Sequence, residues 1–203
     1  MKSIGFISYQ LPYHKFILLL SIINFILCCQ NLASAQEDTG IFTAKNMVFV
    51  EFLGNSGLYA VHYSRILHQK EKMKLSGSVG FSLVPGKGFE PHYPNFWSPV
   101  IPVEFSAFWG KSRHHLEIGT GCFVFQSRKY LFDPEFPPTN LREVVHWDTS
   151  VTMRIGYRYQ KPEGGFFFRA GYTPRIDFSS FESAEKPVRF IPFSVGVSLG
   201  KSF

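Results

Sequence analysis

Cysteine is scarce in this chain of 203 residues, which holds three. Two of them, Cys28 and Cys29, end an apolar run, and the third, Cys122, stands alone. Beyond the run no internal disulfide can form, so stability must come from packing and hydrogen bonds, and Cys122 is expected to be a buried, inert thiol. Charge is thin as well, at 18% Asp, Glu, Lys and Arg against 45% hydrophobic residues, a balance that excludes a disordered tail or a coiled coil and fits one modest domain. The formal net charge of +6 is spread out. No basic run with interleaved aromatics occurs, which argues against a nucleic-acid partner. No strand-to-helix glycine loop offers a phosphate cradle, and no His/Cys/Asp/Glu spacing offers a metal, so neither cofactor nor metal is expected.

Long hydrophobic runs are equally few. Lys2, His14 and Lys15 precede one from Phe16 to Cys29, and Ala33-Ser34-Ala35 follows with the small residues a signal peptidase reads. At that length the run falls short of the ~20 residues a membrane helix needs. It reads as a signal peptide over 1–35, cleaved before Gln36. A lipid anchor on Cys28 or Cys29 is the alternative, opposed by Leu27 and Cys28 at the preceding positions, where a small residue normally stands.

What the rest of the chain has in abundance is aromatic rings, 17% of residues with 23 Phe, together with Gly and period-two alternation. Segments at about 46–53, 58–66, 73–84, 100–109, 115–126, 149–160, 166–177 and 189–203 read as eight strands, with no convincing helix. Several match the roughly 9–11 residues with which a tilted strand crosses a bilayer. Their connections alternate. Short turns at 67–72, 110–114 and 161–165 would share one end, and longer stretches at about 85–99, 127–148 and 178–188 the other, with only the first hairpin at 54–57 shorter than that pattern asks.

In the sixth segment Val151, Met153, Ile155, Tyr157 and Tyr159 alternate with Thr152, Arg154, Gly156, Arg158 and Gln160. The polar row is mostly Gly and Ser with an occasional charge, which suits the crowded inside of an eight-stranded barrel, so the apolar row should face lipid. A soluble lipocalin-like binder of small ligands is the alternative, with the apolar row turned inward to a cavity. Trp109, Tyr157, Tyr159, Phe166, Phe168 and Phe203 near the short turns, and Trp97 and Trp147 near the long connections, suggest two interfacial girdles.

The final stretch RFIPFSVGVSLGKSF, ending on Leu199 and Phe203 in one row, resembles the assembly signal of Gram-negative outer-membrane barrels. The stretch GYRYQKPEGGFFFRAGYTP, Gly156 to Pro174, is similar to the penultimate hairpin of small barrels of OmpA and OmpX shape. The resemblance covers residues 36–203 as an architecture: an all-β, eight-stranded antiparallel up-and-down transmembrane barrel in the outer membrane. It implies lipids and the barrel assembly machinery as partners, with Phe203 closing the last strand beside the first.

Glu51, Lys74, Glu104, Glu117, Arg154, Arg158 and Arg169 share the phase of the small residues, so they should point into the lumen and pair there, Glu117 with Arg158 in the first instance. Such a row is either an ion path or a hydrogen-bonded plug. His62 and Ser64 share a face of the second strand, a weak hint of a lipid-modifying enzyme, while His92, His114, His115 and His146 scatter over both ends and build neither triad nor metal site. The expected role is therefore non-enzymatic, a structural or adhesin-like surface-interaction one, with the lumen plugged by small and charged side chains. Tyr93, Phe96, Trp97, Tyr130, Phe132 and Phe136, on Pro-stiffened connections, are the candidate contacts for an extracellular partner or glycan.

Overall fold

The computed structural model describes residues 41–88, 91–110, 112–135, 140–180 and 187–203. The signal peptide, its cleavage site, Cys28, Cys29 and Phe136 lie outside them.

Among the described residues, ten antiparallel strands form one sheet. They are β1 (Asn46–Leu53), β2 (Tyr59–Lys70), β3 (Met73–Gly86), β4 (Phe96–Trp109), β5 (His114–Phe132), β6 (Leu141–Gln160), β7 (Gly165–Tyr172), β8 (Arg175–Phe178), β9 (Val188–Ile191) and β10 (Val195–Ser202). Neighbours from β1 to β7 pair in chain order, β7 pairs with β10, and β10 pairs with β1 from Met47↔Ser202 to Leu53↔Gly196. That closes a ring of eight, with Asn46 and Phe203 exchanging two backbone hydrogen bonds at 2.9 and 2.8 Å across the seam.

The seventh and eighth expected segments are each broken once. Pro174 divides β7 from β8, and Pro192 divides β9 from β10, because a residue without an N–H cannot donate to the ladder. Above these breaks β8 keeps to the edge of β6 and β9 to that of β8.

Several strands outrun their expected limits. The stretch 127–148, expected as a loop, is largely a ribbon in which β5 and β6 stay in register from His114↔Tyr159 to Phe132↔Leu141. Likewise β3 and β4 remain paired as far as Gly86↔Phe96, so the 85–99 connection narrows. The other end has tight turns at Glu71-Lys72, between Trp109 and His114, and between Gln160 and Gly165.

Burial follows strand parity. On β10, Gly196, Ser198 and Ser202 are buried, while Val195, Val197, Leu199 and Lys201 are exposed. Every member of the ring carries large apolar side chains outward, among them Val48 and Phe52, Val61 and Tyr63, Val79 and Phe81, Ile101 and Phe105, Leu116 and Ile118, Met153 and Ile155, Phe166 and Tyr172, and Val197 and Leu199. A lipocalin-type barrel would have this polarity reversed. Cys122 shares the outward row and is exposed, which corrects the buried thiol expected above.

The first hairpin is not simply short. Leu53 adopts φ 59°, rare for a bulky residue, and turns the chain inward, so that Gly54, Asn55 and Ser56 form a buried 3-10 turn inside the ring. Glycine makes the fit. A Cβ on Gly196 would lie 2.9 Å from the Cα of Gly54 and 3.0 Å from Glu51, and one on Gly121 would lie 2.7 Å from Asn55. Gly196→Val is accordingly expected to push the turn out of its seat and cost about 1–3 kcal/mol. Urea unfolding of the refolded barrel measures it, and an unchanged midpoint would contradict the contact.

Candidate functional site

The lumen is filled from one end to the other. At the short-turn end, Phe42, Met47, Phe49, Ile66, Phe108 and Phe167 make an apolar cluster. Phe42 precedes the first strand and is held there because the N–H groups of Thr43 and Ala44 both donate to the Pro162 carbonyl at 3.0 Å. Its ring meets Phe108 edge-on at 5.9 Å and His115 at 5.4 Å. The Lys74 ammonium lies 4.9 Å from its centroid.

Above this stopper sits the charge network. Arg158 lies over Phe108 at 4.0 Å and reaches Glu117 at 2.9 Å, Gln160 at 2.7 Å and Met47 Sδ at 2.8 Å. Arg169 bridges Glu104 at 2.6 Å, Glu51 at 3.3 Å and Glu117 at 3.5 Å. Arg154 holds Glu104 at 3.1 Å and also Glu51. Three guanidiniums thus face three carboxylates, all buried, on β1, β4, β5, β6 and β7. In so dry a site each carboxylate is compensated locally, as burial of a charge demands. Lys74 stands apart from this cluster, its ammonium 3.5 Å from the turn carbonyls of Lys72 and Gly110.

Over the network lies the inward turn. Asn55 donates to the Val103 carbonyl at 3.1 Å and accepts from Thr152 at 2.7 Å, pinning the turn to β4 and β6, the two staves that flank β5. The Ser56 hydroxyl donates to Glu51 at 3.2 Å and stands 2.9 Å from His62 Nε2, which is itself 3.4 Å from Glu51. This gathers a serine, a histidine and an acid, but not as a nucleophilic relay. With its proton given to Glu51, Ser56 can only accept from Nε2–H, and Nδ1 of His62 has no partner. A relay needs the acid on the second ring nitrogen and a serine that donates to the first. All three side chains are also buried. Ser64 takes no part, donating instead to the Gly77 carbonyl at 3.0 Å.

Beyond the turn, at the long-connection end, the structure opens into a cavity of about 460 Å³. Its floor is Ser56, Gly57, Leu58 and Phe123, and its walls come from β3 and β4 on one side and from β5, β6, β8 and β9 on the other. Past Val100↔Phe125 the β4–β5 ladder ends while both strands continue, so the two sheets part and leave the cleft. Arg128, Arg175 and Arg189 line it together with Asp177. Arg175 Nε and Arg189 share Asp177 at 3.2 and 3.1 Å, Ser150 donates to Asp177 at 2.6 Å, and Arg128 pairs with Glu143 at 2.9 Å. Arg128 also lies 4.3 Å over the ring of Phe96.

The candidate surface aromatics divide. Trp97 and Phe132 are exposed. Tyr93 and Tyr130 pack on one another at 4.8 Å, and Tyr93 donates to the Leu141 carbonyl at 2.7 Å, so both brace the ribbon instead of standing free. Phe96 is covered by Arg128. The histidines stay dispersed: His92 is exposed at the cleft end, His146 lies 3.4 Å from Asp148 beside the ribbon, and His114 and His115 sit at the short-turn end, His114 within 2.6 Å of the Tyr157 hydroxyl.

Asn55, Ser56, Phe42 and Arg128 escape a reading by strand phase because they lie outside the expected segments, whereas Arg175 and Arg189 fall inside two of them and reach the cleft only because those segments break at Pro174 and Pro192. Gly54 and Gly57 flanking Asn55-Ser56 are the one local sign that the first hairpin is special.

Asp148, on the ribbon side of β6, accepts from the Ser180 N–H at 2.9 Å and so ties the chain just past β8 to β6. Asp148→Ala should therefore speed hydrogen exchange at Ser180 while the ring stays protected. Within the ring, Glu104→Leu leaves Arg154 and Arg169 undercompensated and should cost about 3–5 kcal/mol, read as a lower urea midpoint. Adding Arg169→Met should recover part of that loss.

No family model matches the chain, and no curated protein matches it. Among solved structures it is similar to the N-terminal β-barrel domain of OprF from Pseudomonas aeruginosa, at 14% identity over 78% of this chain and 96% of that one, with a TM-score of 0.45. It is also similar to Ail, the attachment invasion locus protein of Yersinia pestis, in complex with the heparin analogue sucrose octasulfate, at 11% identity over 77% of this chain and 94% of that one, with a TM-score of 0.45.

Proposed function

We propose that the chain is an integral outer-membrane β-barrel, exported by a signal peptide over residues 1–35, whose filled lumen does not conduct and whose long-stranded end serves surface interaction. It performs no catalysis in this reading. The observation that carries it is the apolar row on the outside of all eight members of the ring, set against a lumen of paired charges. Water would not tolerate so continuous an apolar belt, which is far larger than the few hundred Å² a soluble monomer exposes.

The dimensions agree. Trp147 and Tyr157, both exposed, are ten residues apart on β6, about 33 Å along a strand. Tilted by ~40°, that is ~25 Å along the barrel axis, the height of the apolar band of such proteins. Lys201, the one cation in the outward row of β10, lies beside Phe203 at the short-turn rim, where a long stem lets its charge reach water. Phe203 and Leu199, exposed on the closing strand, are the residues the barrel assembly machinery would read. The ribbon from Arg128 to Val145 stands well past the membrane in this frame and carries the exposed Phe132.

Fractionation followed by an unboiled denaturing gel tests the location: the protein should float with the outer membrane and migrate differently after heating, and recovery as a detergent-free monodisperse particle would reject it. Ile155→Lys should cost about 2–4 kcal/mol in lipid vesicles, where an equivalent change on a water-facing strand costs almost nothing. Replacing 128–145 by a two-residue turn should leave the heat-modifiable band and remove binding to surfaces. Planar bilayers should record no channel from the intact chain.

A further inference from the structure

We propose that the cleft at the long-stranded end is a binding site for a monovalent organic anion with an apolar, preferably aromatic, body. The inference rests on the surface reading above and names the ligand class of that end.

The lining divides into two halves. Val84, Pro85, Phe96, Val100, Phe123 and Phe125 supply apolar walls, and Arg128, Arg175 and Arg189 supply guanidiniums. A volume of about 460 Å³ is within the range of ordinary small-molecule sites, about 300–1,000 Å³. It is too small for a folded domain and larger than a bare inorganic ion requires.

Charge decides the valence. Among the described residues, three guanidiniums face Asp177 within the lining and Glu143 behind Arg128, which leaves one positive charge uncompensated. The donors are also underused. Nε of Arg128 and of Arg175 is buried with no hydrogen-bond partner among the described residues, the contact of Arg175 Nε with Asp177 being an ion pair without hydrogen-bond alignment. A guanidinium presents five N–H groups in a fixed fork matched to a carboxylate. Arg175 lies 5.9 Å from the ring of Phe123 on the floor, and Arg128 lies over Phe96 on the wall, so an anion held by either arginine places its body against an aromatic face.

The site is preformed. Asp177 is fixed by Ser150 and orients Arg175 and Arg189, while the floor is the inward turn that Asn55 pins to the walls. It is also closed below by the charge network, so an occupant enters and leaves by the same mouth and is bound, not transported.

The experiment uses the full chain in phosphatidylcholine nanodiscs, with 2-naphthoate as probe and 2-naphthamide as its uncharged counterpart, followed by saturation-transfer NMR against empty discs. Saturable binding of naphthoate is expected, at least tenfold tighter than the amide. Arg175→Gln should weaken naphthoate at least tenfold and abolish the preference, Arg128→Gln serving as the second variant if the first does not fold. Equal binding of acid and amide, binding no greater than to empty discs, or variants indistinguishable from the parent would overturn the proposal. Displacement by inorganic phosphate at the same concentration as naphthoate would overturn its apolar half. Heat-modifiable migration, recorded on each sample, separates the two readings: failure to insert rejects the membrane barrel, whereas insertion without discrimination rejects this site alone.

Discussion

The structure depends on the contact of Arg154 and Arg169 with Glu51 and Glu104. These four side chains come from β6, β7, β1 and β4, so they tie across the barrel staves that share no backbone hydrogen bonds. With the apolar surface spent on the outside, the interior has little hydrophobic effect left to hold it together. Electrostatics takes that place, and it does so only because every carboxylate in the cluster meets a guanidinium. Removing any one leaves a charge with no water to turn to, which is why so narrow a lumen can carry so many ionised groups and still specify one register.

The order along the axis follows from that network. The aromatic stopper closes the short-turn end and lends Arg158 a face to rest on. The inward turn closes the other, sharing Glu51 with the network through Ser56. The cleft above inherits its floor from the turn and its walls from strands that continue after the ring has ended. Ring, plug and cleft are therefore layers of one stack, and the outermost is positioned by the innermost.

Much of this was legible in the residues. Period-two alternation marks the strands of the ring because its outer face and its lumen make opposite demands on alternate side chains. Parity also governs Cys122, which falls in the row of Ile118 and Val124: the general tendency of a free thiol to be buried yields there to strand phase. The ribbon was less legible. Asp133-Pro134 and the charges around it read as a loop, yet Arg128↔Val145 and Tyr130↔Glu143 stay paired, since a ladder in water needs no apolar face on either side. Phe42 and Asn55 were not legible at all. Their positions are dictated by space left elsewhere, by the rings of Phe108 and Phe167 and by the bare backbones of Gly121 and Gly196, and no local pattern records such vacancies.

One of those vacancies bears on the order of assembly. Gly54, near the beginning of the barrel, packs backbone to backbone on Gly196, in its last strand. Until β10 arrives, the turn has only part of its seat, and Glu51 lacks the neighbour that confines it. Closing the seam therefore also completes the packing of the plug.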